Sequence, residues 1–332
     1  MNASIPVITP LTLEQSLLQI PSLLEVGVNE VEHIILYGET GSGKTTLAAM
    51  LAEFFNVLWF DGDKGLTAAL NNIHPEMAKR IRVIKIPDNT DYPVMCSTIL
   101  RVVTGRKMKL CIIHGTTNCP ICAQNPTAIN VEIELNELPK NWVVVMDSQT
   151  QFYASVLAFA YYKDSGKAPG SGVPDDYKGD WDYRGIAYQM CDKFGNYMKD
   201  LTCQWVSISH EIVTEMDDDV TKKVVPIGGS RNISSNYGKW FGSQIYAKRT
   251  NNKHNFFSSS LYSAAVQTKS RSNVVLEAKK TPSLLHIFRP SEAEKLLEGS
   301  YTEWWLSEGY KDISKRTKGK ENPPKPKEII TL

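Results

Sequence analysis

The sequence predicts an α/β protein with a central, mostly parallel sheet organised around a phosphate-binding loop. Three observations predict it. Gly38-Glu39-Thr40-Gly41-Ser42-Gly43-Lys44-Thr45 is a complete G-x-x-x-x-G-K-[ST] motif between an apolar strand, His33–Tyr37, and a helical run, Thr46–Ala52. Two further apolar runs, Val57–Phe60 and Trp142–Met146, each lead directly into an aspartate. Between such runs the apolar period lengthens to that of a helix, the alternation expected of an open α/β sheet.

The loop comes first because its chemistry is the most specific. Strand, glycine loop and helix in that order bring backbone N–H groups and a positive helix end to one phosphate chain. Lys44 would reach the β- and γ-phosphates, and the Thr45 hydroxyl would ligate Mg²⁺. Upstream, residues 1–10 read as irregular. Thr12 with Gln15 resembles a capping box opening a short helix over Leu13–Gln19, which Pro21 stops. The N-terminus has neither a basic start nor a long apolar stretch, so no secretory signal is expected there.

After the loop, Val57-Leu58-Trp59-Phe60 runs into Asp61-Gly62-Asp63-Lys64-Gly65. Carboxylates at that strand end would face the ligand crevice. Leu66–Arg80 reads as helix, Ile81–Ile86 as strand and Tyr92–Thr104 as helix. Trp142-Val143-Val144-Val145-Met146-Asp147 has the form of a Walker B strand, whose Asp147 would hold the Mg²⁺ shell. Gln151–Tyr162 continues as helix, and the Gly-, Pro- and Asp-rich Lys163–Trp181 reads as a mobile loop. Asp182–Leu201 reads as a long amphipathic helix and Trp205–Ser209 as a strand, followed by His210 and Glu211. His210 has two readings, a sensor beside the γ-phosphate or a strand-end surface histidine.

Met216–Ser235 reads as a second flexible stretch, Gly238–Arg249 as a strand, Asn251–His254 as a polar turn and Ala264–Gln267 as a strand. Lys311–Leu332 carries seven Lys/Arg against three acids and reads as a disordered basic tail. The expected organisation is an N-terminal segment 1–29, a core 30–290 and a C-terminal segment 291–332, with an insertion at 105–128.

That insertion holds Cys111-x-x-His114-x-x-x-x-Cys119-x-x-Cys122. Three thiols and an imidazole at this short spacing suit tetrahedral Zn²⁺ in a closed, structural site. A redox C-x-x-C would not need Cys111 and His114 just upstream. Cys96, Cys191 and Cys203 read as ordinary buried thiols. Arg101, Arg106, Lys107 and Lys109 flank the knuckle and could contact nucleic-acid phosphates, or could form a solvated basic edge.

Composition excludes some classes. The 332 residues carry a formal net charge of +1, so nucleic-acid binding would need local patches rather than a global basic field. No apolar run approaches the roughly 18 residues of a membrane span, so no membrane partner is expected. Six cysteines in a chain of this length do not form a disulfide scaffold.

These motifs together resemble the RecA-like ATPases of bacteriophages, the group that includes phage single-strand annealing and recombination ATPases. The resemblance covers roughly 30–290. It rests on Gly38–Thr46, Asp61–Gly65, Asp147-Ser148, Gly179-Asp180-Trp181, Ser209-His210-Glu211 and the inserted knuckle. It implies a RecA-like P-loop core, ATP and Mg²⁺ as ligands, DNA-stimulated hydrolysis, and binding of single-stranded DNA in recombination, annealing or replication. It also implies self-association into a ring or filament, a phage single-strand binding protein as possible partner, and the host cytoplasm as location.

Asp63 stands where the family usually has Glu to orient the attacking water, and Glu211 stands where bacterial relatives carry an amide. Asp is one methylene shorter, so a second water or slow turnover is expected, with Glu211 the alternative base. Two loops would project toward DNA, matching 163–181 and 216–236. They offer Lys167, Lys178, Lys222, Lys223 and Arg231, with Tyr177 and Tyr237 for stacking. In ring and filament members, a K-x-K or K-x-R pair reaches the neighbour's γ-phosphate. Lys269 and Arg271 in Lys269-Ser270-Arg271 match it, and a solvated basic turn is the other reading. Other functional classes fit less well. A small-molecule kinase would want a lid with several arginines, and a packaging motor would need a nuclease domain with clustered acids. A nucleotide-gated scaffold with slow or no hydrolysis remains open.

Overall fold

In a computed structural model of the protein, six strands run parallel in one sheet. The structure describes residues 31–332 except 90, 118, 120–121, 123–129, 169–170, 172–180, 216–221, 229–230, 252, 260–262, 264, 310–323 and 331–332. The chain divides into two compact units, Met1–Val31 and Glu32–Leu332, and all elements named here belong to the second. The short helix expected over Leu13–Gln19 lies outside the described residues.

The strands are β1 (His33–Gly38), β2 (Asn56–Asp61), β3 (Ile81–Lys85), β4 (Met108–Cys111), β5 (Thr116–Thr117), β6 (Asn130–Ile133), β7 (Trp142–Asp147), β8 (Gln204–Glu215), β9 (Lys222–Pro226), β10 (Ser243–Thr250) and β11 (Lys253–Phe257). The main sheet has the order β11-β10-β1-β8-β7-β2-β3, with β9 added antiparallel along β8 and β11 antiparallel to β10. A small sheet, β5-β4-β6, carries the knuckle.

The parallel strands are buried on both faces, and their alternation sorts residues between two cores. Ile34, Leu36, Val57, Trp59, Val143 and Val145 face one core, shared with helix α1 (Lys44–Ala49). Ile35, Leu58, Phe60, Val144 and Met146 face the other. There they meet α4 (Met95–Val102), α5 (Gln149–Ser165), α6 (Trp181–Asp200) and α7 (Arg231–Trp240). The first core also takes in Leu285, Leu297, Tyr301 and Trp305, so the segment after 290 is built into it.

Several expectations need correction. The helix expected over Leu66–Arg80 is two short helices, α2 (Leu66–Leu70) and α3 (Pro75–Ala78), because Pro75 at the start of α3 cannot continue a preceding turn. His74 caps the second, its Nδ1 accepting from the Glu76 N–H at 3.1 Å. Residues 222–235, expected to be flexible, contain β9 and the start of α7; strand pairing with β8 overrides the polar, Gly-rich composition.

The strand expected over Gly238–Arg249 starts only at Ser243, and Lys253 and His254 belong to β11 rather than to a turn. The strand expected at Ala264–Gln267 reduces to an isolated bridge of Val266 with Val224.

The disordered tail does not hold for residues 324–330. The Lys327 N–H donates to Glu53 Oε1 at 3.3 Å, and the Arg80 guanidinium donates to the Lys327 carbonyl at 2.9 Å. The Ile330 N–H donates to the Phe54 carbonyl at 2.8 Å. The buried Glu53 carboxylate also accepts from the N–H groups of Tyr301 and Thr302, both at 2.8 Å. One acid therefore ties two C-terminal segments to the turn that follows α1.

Candidate nucleotide site

The loop joins β1 to α1 across the carboxyl end of the sheet. Two of its glycines are dictated by the backbone. Gly38 has φ 149°, and a Cβ there would lie 2.0 Å from the Ala247 carbonyl oxygen on β10. Gly43 has φ 92°, and a Cβ there would lie 2.7 Å from His254 Nδ1. The N–H groups that open α1, from Lys44 onward, have no intrahelical acceptor by construction, which leaves them for an anion.

Lys44 is buried, and its ammonium donates to the carbonyls of Gly38 and Glu39, both at 2.8 Å. It therefore spans the mouth of the loop from its last residues to its first. Burial pushes its pKa down to about 8, opposed by the carboxylates of Asp147, Glu211, Asp63 and Glu39.

Three aspartates converge beside it. Asp61 and Asp147 are directly paired in register on β2 and β7. The N–H groups of Gly62 and Asp63 both donate to the Asp147 carbonyl, which fixes the turn carrying Asp63. Asp147 is almost fully buried, and Thr45 Oγ1 donates to its Oδ2 at 3.2 Å. Burial raises its pKa to about 7, reinforced by the charges of Asp63 and Asp61. A hydroxyl beside a buried carboxylate offers the hard oxygen donors that Mg²⁺ takes, so Thr45 and Asp147 fit that ion.

Asp63 is the exposed member of the trio, with His210 Nε2 at 3.7 Å from its Oδ2. His210 Nδ1 lies 3.4 Å from Thr40 Oγ1, and the His210 backbone N–H donates to Thr150 Oγ1 at 2.9 Å. His210 thus stands between the loop and Asp63, aligned with Gly38 across β1 and β8. The neighbouring Glu211 has an Oε2 that is buried and, among the described residues, without a hydrogen-bond partner.

Lys269 and Arg271 are not brought to the same chain's loop. Lys269 exchanges two backbone hydrogen bonds with Gln244, and Arg271 enters a turn, so strand alternation does not align the two cations as expected. A Cβ on Gly242 would lie 3.2 Å from the Arg271 guanidinium and 2.5 Å from Glu32 Oε2. Arg271 therefore sits at the opposite end of β1 from the loop, roughly 17 Å away at about 3.3 Å per residue.

The knuckle forms a second centre. Its four ligand atoms, from Cys111, His114, Cys119 and Cys122, lie within 4.8 Å of one another. Cys122 Sγ is 3.2 Å from His114 Nδ1 and 3.4 Å from Cys111 Sγ. A zinc tetrahedron with Zn–S of about 2.3 Å has ligand edges of about 3.7 Å, so the donor set fits Zn²⁺. The knuckle is seated on the core by Thr98 Oγ1, which donates to the Gly115 carbonyl at 3.1 Å. Of its basic flank, Arg101 donates to Thr117 Oγ1 at 2.6 Å and Lys107 pairs with Glu132 at 2.8 Å, so both are used within the protein. Elemental analysis is expected to find one zinc per chain, and Cys119→Ser is expected to lose it, because three remaining ligands leave the tetrahedron open. A folded, metal-free native protein would refute the assignment.

The chain matches no family model and no curated protein. The crystal structure of the RadB recombinase is similar to it at 14% identity, over 68% of this chain and 79% of that one, with a TM-score of 0.35. A likeness that low says nothing of activity. Among the described residues no helix is long and apolar enough to cross a membrane.

Two contributors to the site have no sequence motif. Asp61 was visible only as one of two acids at a strand end. His254 lies 212 positions from Ser42, whose carbonyl accepts its Nδ1–H at 2.7 Å. The stacking role expected of Tyr237 is overturned: it is buried, T-shaped against Trp240, and donates to the Ile227 carbonyl at 2.8 Å. Lys178 and Tyr177 lie outside the described residues.

Proposed function

We propose that this chain is a phage-encoded, RecA-like protein that binds and hydrolyses ATP, binds single-stranded DNA and promotes recombination, annealing or replication in the host cytoplasm. The observation that carries the ATPase part is the joint placement of Lys44, Thr45, Asp147 and Asp63 at the carboxyl ends of β1, β7 and β2. Thr45 and Asp147 would hold Mg²⁺, which when bound supplies positive charge to the transferring phosphoryl group. Lys44 would exchange two loop carbonyls for the β- and γ-oxygens. Asp63, exposed at the mouth with His210 beside it, would orient the attacking water. The DNA part rests on the resemblance and on the Lys167 and Lys223 side of the expected loops.

Self-association follows from the same reading. Arg271 lies too far from its own loop to act there, so a finger role requires a neighbouring copy. Specific ATPase activity would then rise with protein concentration. The deciding experiment is ATP turnover with and without single-stranded DNA. Stimulation is the expected result. Nucleotide binding without stimulated turnover would favour the alternative, a nucleotide-gated scaffold that hydrolyses slowly. The short side chain of Asp63, with His210 Nε2 only 3.7 Å from its Oδ2, is the observation on that side.

Asp63→Asn is expected to lower kcat about a hundredfold while ATP affinity stays within about threefold, because only the water-orienting charge is lost. Wild-type turnover in that variant would move the role to Glu211.

A further inference from the structure

We infer that His254, on the antiparallel edge strand β11, is a positioning residue that sets one phosphate-binding N–H of the loop. The inference rests on the reading that the loop binds a nucleotide. Its Nδ1 is 2.7 Å from the Ser42 carbonyl oxygen, so the imidazole carries its proton on Nδ1 and donates it there. Ser42 is fully buried, and among the described residues His254 is the side chain that reaches its carbonyl.

The Ser42–Gly43 peptide is trans, so its C=O and N–H point in opposite directions. With the carbonyl held toward His254, the Gly43 N–H is turned away from the histidine and into the loop. Without that hydrogen bond the peptide could flip at little cost, since glycine tolerates both orientations. The loop's last glycine would then present a carbonyl, not a donor, to an incoming phosphate.

Three further observations make the imidazole a fixed prop. Its ring lies against Gly43, where no side chain would fit: a Cβ there would be 2.7 Å from Nδ1 and 3.0 Å from Cγ. The ring stacks on Trp305, with centroids 6.2 Å apart and planes at 18°, and Trp305 is itself buried in the first core. The backbone of His254 is held by ladder pairing with Arg249 on β10. Burial also pushes the imidazole down to about 4, so it stays neutral and keeps one tautomer through the physiological range. The prop therefore joins the C-terminal helices to the loop through a single side chain.

The test separates the hydrogen bond from the packing. His254→Phe keeps a ring between Gly43 and Trp305 but cannot donate. His254→Asn places an amide near the Nδ1 position and can. ADP affinity is measured by calorimetric titration with Mg²⁺, and thermal melting is followed without nucleotide.

His254→Phe is expected to melt close to wild type and to bind ADP about tenfold more weakly. His254→Asn is expected to recover most of that loss even if it melts lower. A purely structural histidine would give the opposite pattern, with melting lowered in both variants and affinity of the folded protein unchanged. ADP binding at wild-type strength by His254→Phe, or no recovery by His254→Asn, would overturn the inference. If His254→Phe does not fold, His254→Asn against His254→Ala supplies the same comparison. Absence of ADP binding by the wild-type protein would instead sink the nucleotide reading itself.

Discussion

Lys44→Ala is expected to abolish measurable ATP turnover, a loss of at least about a hundredfold, while leaving the fold at least as stable at neutral pH. The loss follows from position. The ammonium lies across the loop mouth, on the Gly38 and Glu39 carbonyls, where the proposed reading puts the β- and γ-phosphates. Charge aimed at a transferring phosphoryl group acts in a partly dry site, where it is worth several times its value in water.

The stability half follows from the same burial. Lys44 titrates at about 8 in the fold against 10.5 in the open chain. Below pH 8 the unfolded state binds the proton more tightly, so this group costs stability there, and the cost fades as pH rises from about 8 to 10.5. Alanine removes the cost. It also leaves the Gly38 and Glu39 carbonyls without this donor, but Glu39 is exposed to water. The readouts are steady-state ATPase activity and thermal melting at pH 7. Retained turnover would remove the loop from the chemistry, and a collapsed melting curve would mean that Lys44 holds the loop together.

The parts of the site legible in the sequence are those whose chemistry is local. The loop needs eight consecutive residues and the knuckle twelve, and both stand where the sequence puts them. The position of Asp147 is legible because an apolar strand must end somewhere, and the end of a parallel strand faces the crevice. What was not legible depends on pairing. Lys222–Pro226 looks like a charged linker until β8 extends past the sheet and offers it a partner edge.

His254 sits in a polar Asn-Asn-Lys-His run whose composition signals a turn. The turn is real, but the chain reverses one residue earlier, and the hairpin carries the histidine onto the loop. The docked tail shows the same limit. Its Pro- and Lys-rich composition cannot build a core, yet its backbone satisfies donors and acceptors left at Glu53, Phe54 and Arg80. The break at Pro75 is different: the proline was there to be read, and helical periodicity on either side hid it.

Asp147→Asn is expected to separate stability from function in opposite directions. In the fold, burial and the neighbouring charges of Asp63 and Asp61 hold the Asp147 carboxyl up at about 7, against 3.8 in the open chain. Between those values the folded state binds more protons than the unfolded one. Stability therefore falls as pH rises through about 4 to 7, and the full cost is present above 7.

Asparagine carries no charge, and its amide oxygen can still accept the hydrogen bond from Thr45. Without nucleotide, the variant should melt higher than wild type at pH 8, by an amount worth at most a few kcal/mol. The advantage should shrink as pH falls and vanish below about pH 3, where wild-type Asp147 is protonated in both states. With Mg²⁺ and ATP the order should reverse. Wild type gains stability from every ligand-bound molecule, whereas the variant lacks the carboxylate that Mg²⁺ needs beside Thr45 and gains little. ATP turnover should fall at least about a hundredfold. The measurement is a pair of melting series across pH, one in chelator and one in Mg²⁺–ATP, with turnover assayed alongside. A variant that melts below wild type at pH 8 in chelator would show that Asp147 is ionised and satisfied in the free protein. Equal stabilisation of both proteins by Mg²⁺–ATP would show that the ion is held elsewhere.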